Sequence, residues 1–118
     1  MEEFALIFRH EDAGPVVSPE QMQQWMQQTM DWLGGIAAQN KLVSHGNGLS
    51  FKESRVVRSN KTVTNGPFGE IKETIGGYVI VRAESVDEAV KFAKGSPVLQ
   101  GEGNSVEVRK IAKAEDFQ

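Results

Sequence analysis

The sequence predicts an α+β domain with a ferredoxin-like split βαβ layout: an antiparallel sheet with two helices on one face. Three observations carry that expectation. Residues 4–8 and 78–82 are apolar without alternation, as strands buried on both faces are. Two amphipathic segments, each opened by a capping serine, punctuate the order strand, helix, strands, strand, helix, strand. The 118 residues suffice for one core, and neither an internal repeat nor a linker divides them. The domain is expected over residues 1–112, with 113–118 a loosely held tail.

The first strand is Phe4-Ala5-Leu6-Ile7-Phe8, and the charge, glycine and proline of residues 9–15 predict a loop after it. Ser18-Pro19-Glu20-Gln21 predicts a helix start, with Ser18 as N-cap, proline in the first turn and Gln21 at the capping-box position. At 100° per residue, Met22, Trp25, Met26, Met30, Trp32, Leu33, Ile36 and Ala37 occupy a sector of roughly 160°, so Met22, Met26 and Met30 read as core packing. The pair Gly34-Gly35 predicts a close backbone approach or a bend, and Asn40 a left-handed cap. Gly46-Asn47-Gly48 predicts a bulge in the next strand. Ser59-Asn60-Lys61 is a turn of hairpin length between residues 55–58 and 62–64.

After the strand at 78–82, Ser85-Val86-Asp87-Glu88 opens a second helix whose Val86, Ala89, Val90 and Ala93 share a face, ended by Gly95 and Pro97. Val106, Val108 and Ile111 mark the last strand. Right-handed crossovers put both helices on the same side of the sheet. The strands at 4–8 and 78–82 are greasy on both faces, however, and two helices cover one. A second copy laying its sheet on the other face removes that exposure, so a homodimer is expected.

A net charge of −3 gives no basic footprint for nucleic acid or for an anionic membrane surface. Without cysteine there is no disulfide, thiolate metal site or cysteine nucleophile. No segment approaches the ~20 apolar residues of a membrane helix, and the start has no signal-peptide pattern, so a cytoplasmic location is expected. Two histidines 35 residues apart make no metal pattern, and no cofactor is expected. Gln100-Gly101-Glu102-Gly103-Asn104 follows a helix and precedes a strand, the reverse of a phosphate-binding loop.

The segment most devoted to placing polar groups is Asn65-Gly66-Pro67-Phe68-Gly69-Glu70-Ile71-Lys72-Glu73-Thr74-Ile75-Gly76-Gly77-Tyr78. With the helix at 85–95, the ending Gly101-Glu102-Gly103-Asn104-Ser105-Val106-Glu107-Val108-Arg109, the opening strand and the helix start at Ser18, it resembles the YCII-related family, and within it the DGPF-type branch. The resemblance spans nearly the whole chain and implies a dimeric α/β-barrel built from two ferredoxin-like units. That branch carries aspartate where this chain has Asn65, which keeps the turn and loses a carboxylate. The YCII-type branch is associated with a His-Asp catalytic pair and one relative with dehydrochlorination, but neither His10 nor His45 sits in that motif. The domain also occurs near extracytoplasmic-function sigma factors.

Asn65, Gly66 and Pro67 suit a tight turn, which either sets strand register or shapes a site with Phe68 as its wall. Glu70, Lys72 and Glu73 are either a solvated surface group or, if enclosed, acid–base residues. Arg9 and Arg109 read as partners of carboxylates such as Glu107, or as forks for a ligand carboxylate or phenolate. His10, beside Glu11 and Asp12, and His45 are ordinary histidines or general bases.

Two functions follow. One is a lyase or dehydrohalogenase acting on a small aromatic or carboxylate-bearing ligand, held by Arg9, Asn65, Gly66, Pro67, Phe68, Glu70 and Arg109, with His45, Lys72 and Glu73 moving protons. The other is a non-catalytic binding or regulatory module linked to transcription. RNA binding is disfavoured, because the sheet carries Val, Ile and Leu rather than stacking aromatics and basic charge.

Overall fold

Alternating burial over residues 4–7 and 77–83 sorts the chain into two layers. The computed structural model describes residues 1–11, 17–64 and 74–117. In chain order the elements are β1 (Glu2–His10), α1 (Pro19–Ala38), β2 (Leu42–Gly48), β3 (Val56–Val57), β4 (Val63–Thr64), β5 (Thr74–Ala83), α2 (Val86–Lys94) and β6 (Ser105–Lys110). Short 3-10 turns occupy Pro97–Gln100 and Ala114–Phe117. Among the described residues, four strands form an antiparallel sheet ordered β2-β5-β1-β6, and β3 pairs with β4 in a separate hairpin. The fold is α+β, with two helices and a four-stranded sheet.

Strand parity sets the core. Phe4 and Leu6 of β1 point one way with Val79, Val81 and Ala83 of β5, and Leu33 and Ile36 of α1 and Ala89 and Ala93 of α2 join them in one buried cluster. Val106 and Val108 of β6 pack against it from register positions opposite Phe8 and Leu6. Trp32 stacks edge-on against Phe8 with ring centroids 6.0 Å apart, and its indole N–H donates to the Phe92 carbonyl at 2.9 Å, tying α1 to α2. Lys41 donates to Glu88 at 2.6 Å, and this hydrogen bond, followed by one from the Glu84 backbone, holds the Glu88 carboxyl below its ordinary range.

Local signals governed the boundaries. The Ser18 hydroxyl accepts from the Gln21 amide at 3.1 Å and the Ser85 hydroxyl from the Glu88 amide at 3.2 Å. The Glu88 carboxylate reaches the Glu84 amide rather than that of Ser85, a capping box displaced by one residue. Asn40 takes a φ of 59°, as a left-handed terminus requires. Register breaks in β2 between Leu42 and Ser44 and between Ser44 and Asn47, where Gly46 adopts a φ of 61° with its α-carbon against the Tyr78 carbonyl. A Cβ there collides with that carbonyl, so only glycine fits.

Four expectations need correction. β1 runs through Arg9 and His10, because both still pair with β5. Gly34 and Gly35 face open space, with no close backbone neighbour. Val86 is exposed although Ala89 and Ala93 of the same helix are buried. Met22, Met26 and Met30 are exposed as well. The inward line of α1 is Trp25, Thr29, Leu33 and Ile36, centred to one side of the predicted apolar sector, which turns Met26 and Met30 outward, whereas Met22 is exposed in the first turn despite lying near that line.

Candidate functional site

The sheet has a second face, and its side chains follow from the same parity. Opposite the helices lie Ala5, Ile7 and Arg9 of β1, Tyr78, Ile80 and Arg82 of β5, and Glu107 and Arg109 of β6. The apolar members form a half-buried central strip, and charged residues of both signs flank it. The chain measures 47 × 42 × 20 Å. Twenty ångströms fits one sheet and one helical layer, each about 10 Å deep, and no described element stacks on the other face.

Arg9, Glu107 and Arg109 meet at the β1–β6 edge. Arg9 Nε donates to Glu107 Oε1 at 2.8 Å, and its Nη2 lies 2.8 Å from the same oxygen. Glu107 Oε2 takes a longer contact, 3.5 Å, from Arg109 Nη1. One carboxylate therefore fixes two guanidinium groups on one face. Arg109 remains 69% exposed, so most of its planar donor fork is open to a second anion. Across the strip, Asn47 donates to the Tyr78 hydroxyl at 3.0 Å, setting a phenol on the same face. The sequence offered Glu107 as an arginine partner, but Tyr78, Asn47 and Arg82 become site neighbours only through register.

His10 ends β1 opposite Thr74, the first residue of β5. Its ring meets Phe51 edge-on at 5.5 Å and fills the space left by the missing side chain of Gly76. Burial pushes its pKa below the ordinary 6.5. The folded state thus binds fewer protons than the unfolded chain between its lowered pKa and 6.5. This contribution is unimpaired above pH 6.5 and is lost as pH falls through that window. Urea midpoints of the protein are expected to fall as pH drops below 6.5, and His10→Gln is expected to flatten that slope; an unchanged slope would assign the dependence to other groups.

The structure separates the other sequence candidates. His45 is exposed on β2, three strand spacings from β6, roughly 14 Å, so it does not join Arg109. Asn65, Gly66, Pro67, Phe68, Glu70, Lys72 and Glu73 lie outside the described residues. Among the described residues, no three histidine or carboxylate side chains are grouped to hold a metal ion. No helix of the described residues is long and apolar enough to cross a membrane.

A sequence profile of the family described as the YCII-related domain matches residues 3–114. No curated protein matches the chain.

Proposed function

We propose, for a chain that belongs to the YCII-related domain family, that two copies stack their open sheet faces and enclose a site for a small aromatic or carboxylate-bearing ligand. In this reading each subunit is a ferredoxin-like unit of the DGPF-type branch, and the pair forms a dimeric α/β-barrel in the cytoplasm. The observation that carries it is a face that no described element covers: a half-buried apolar strip of Ala5, Ile7, Ile80 and Tyr78 bordered by Arg9, Arg82, Arg109, Glu3 and Glu107. An apolar centre with a charged border is how interfaces are built. A face carrying both signs also matches its own copy across a two-fold axis. The buried Arg82 Nε supports the same reading, because it finds no acceptor among the described residues.

Within the enclosed space, Arg109 binds the ligand's anionic group, Arg9 and Glu107 hold Arg109 in place, and Tyr78 and Ile7 supply an apolar wall. Closure strengthens the Arg109 contact by excluding water. The segment bearing Asn65, Gly66, Pro67, Phe68 and Glu70 completes the site. Lyase or dehydrohalogenase chemistry, with Lys72, Glu73 or His45 moving the proton, is the catalytic form of this reading.

Titration with 4-hydroxybenzoate, followed by Tyr and Trp fluorescence, tests the binding step. Saturable binding is expected, and Arg109→Gln is expected to weaken it about tenfold, about 1.4 kcal/mol. No saturation, or equal binding by the variant, would contradict the assignment.

A further inference from the structure

We propose that strand β6 of one copy pairs edge to edge with β6 of a second copy, joining their two sheets into one. The contact lies in the plane of the sheet, at right angles to the stacking proposed above, so it goes beyond that reading and does not rest on it.

The two edges of the sheet differ. At one edge, β2 breaks register with β5 twice and carries Gly46 at a φ of 61°. Such bulges twist an edge away from new partners. At the other edge, β6 pairs with β1 over Ser105–Lys110 without a break. One contact fixes which way its backbone groups point. The Ile111 amide donates to the Glu3 carbonyl at 2.8 Å, one step beyond the Phe4–Lys110 pair. Bonding alternates along an antiparallel strand, so Ser105, Glu107 and Arg109 direct their N–H and C=O groups to β1. Val106, Val108 and Lys110 direct theirs outward. Among the described residues, no backbone hydrogen bond reaches those outward groups.

The chain that follows leaves this edge clear. Lys110 pairs with Asp116 at 3.2 Å and Lys113 with Glu2 at 2.8 Å. By strand parity Glu2 and Lys110 lie on the helix side with Phe4 and Val108, so these ties draw residues 113–116 to that side.

Charge selects both the occupant and the register. Outward groups bond only to outward groups, so a two-fold pair of β6 strands must centre on a single residue. Centring on Glu107 opposes two carboxylates, on Arg109 two guanidiniums and on Lys110 two ammoniums, and like charges directly opposite are destabilising. Centring on Val106 leaves Arg109 and Lys110 beyond the end of the other strand. Centring on Val108 sets Glu107 of each copy opposite Arg109 of the other. Both of these pairs fall at non-hydrogen-bonded positions, where side chains approach most closely. Val108 then bonds to its own counterpart and Val106 to Lys110, about six backbone hydrogen bonds in all. Arg109, 69% exposed, has donors for this carboxylate as well as for a ligand's anion. One strand pair buries less than the roughly 1,200 Å² of a stable interface, so the contact forms at high concentration, with a dissociation constant on the order of 100 μM.

The cysteine-free chain permits a register-specific test. In the Val108-centred pair, Ser105 lies opposite Ile111 of the other copy at a non-hydrogen-bonded position. The α-carbons there are about 4.5 Å apart, within disulfide reach. Ser105→Cys/Ile111→Cys, oxidised near the dissociation constant, is expected to run as a covalent dimer on a denaturing gel. Within one chain the two positions are roughly 20 Å apart along the strand, so no internal link competes. Like positions on two paired copies are equally distant, and each single variant is expected to give about tenfold less dimer. Equal yields from double and single variants, or no dimer from the double, would overturn the pairing.

Sedimentation over a range of concentrations supplies a second measurement. Lys110→Pro removes an outward amide and no bond to β1, so it is expected to weaken the high-concentration step at least about tenfold with circular dichroism retained. Lys110→Ala keeps the amide and is expected to leave the step in place. Equal association by these two variants would also count against the contact. The edge step doubles whichever species exists on dilution, a stacked pair or a single chain, so failure of the stacking and failure of the edge are read separately.

Discussion

Leu6→Ala is expected to lower unfolding free energy by about 3 kcal/mol, a sizeable part of the total for a small domain. Leu6 is fully buried at the middle of β1, opposite Val79 on one side and Val108 on the other. It sits in the cluster that receives Leu33 and Ile36 from α1 and Ala89 and Ala93 from α2. Truncation removes its transfer energy and leaves a void walled by both layers, where strands fixed on two sides cannot close in. Urea denaturation at fixed protein concentration measures the effect, since pairing of copies makes stability concentration-dependent. An unchanged slope with a lower midpoint is expected. A loss below about 1 kcal/mol would mean that this cluster is not the centre of the core.

Ile80→Asp is expected to separate the subunits without unfolding them. Ile80 is one residue from fully buried Val81, yet it points to the other face, opposite Ala5 and Ser44. A carboxylate there is solvated in a single chain and desolvated in a stacked pair, a cost that Arg82, two residues along the same face, offsets only in part. Self-association is expected to weaken at least about 100-fold, with the far-ultraviolet circular dichroism retained. Val81→Asp, on the helix side, is expected to unfold the chain instead. The contrast isolates face from strand. If both variants unfolded the chain, the face bearing Ile80 would be part of a subunit's own core.

Much of this architecture was legible because local rules and burial agreed. The serine caps at Ser18 and Ser85, the left-handed Asn40 and the broken register around Gly46 each follow from one or two residues and their nearest bonds. The doubly apolar strands also pointed to a sheet face that no described element covers. What the sequence could not settle was azimuth. A 160° sector on α1 contains both its inner line and its methionine edge, and only the packing of the helix on the sheet decides which is covered. For the site, Arg9, Arg109 and Glu107 were individually visible, and the structure shows one carboxylate holding both arginines. Tyr78 and Asn47 were not visible as a pair, because a hydrogen bond between residues 31 apart depends on a bulged register.

Sedimentation of the wild-type chain at micromolar concentration bears most directly on the uncovered sheet face. A species of twice 13.0 kDa is predicted. A homogeneous 13.0 kDa species, stable and folded on dilution, would contradict it.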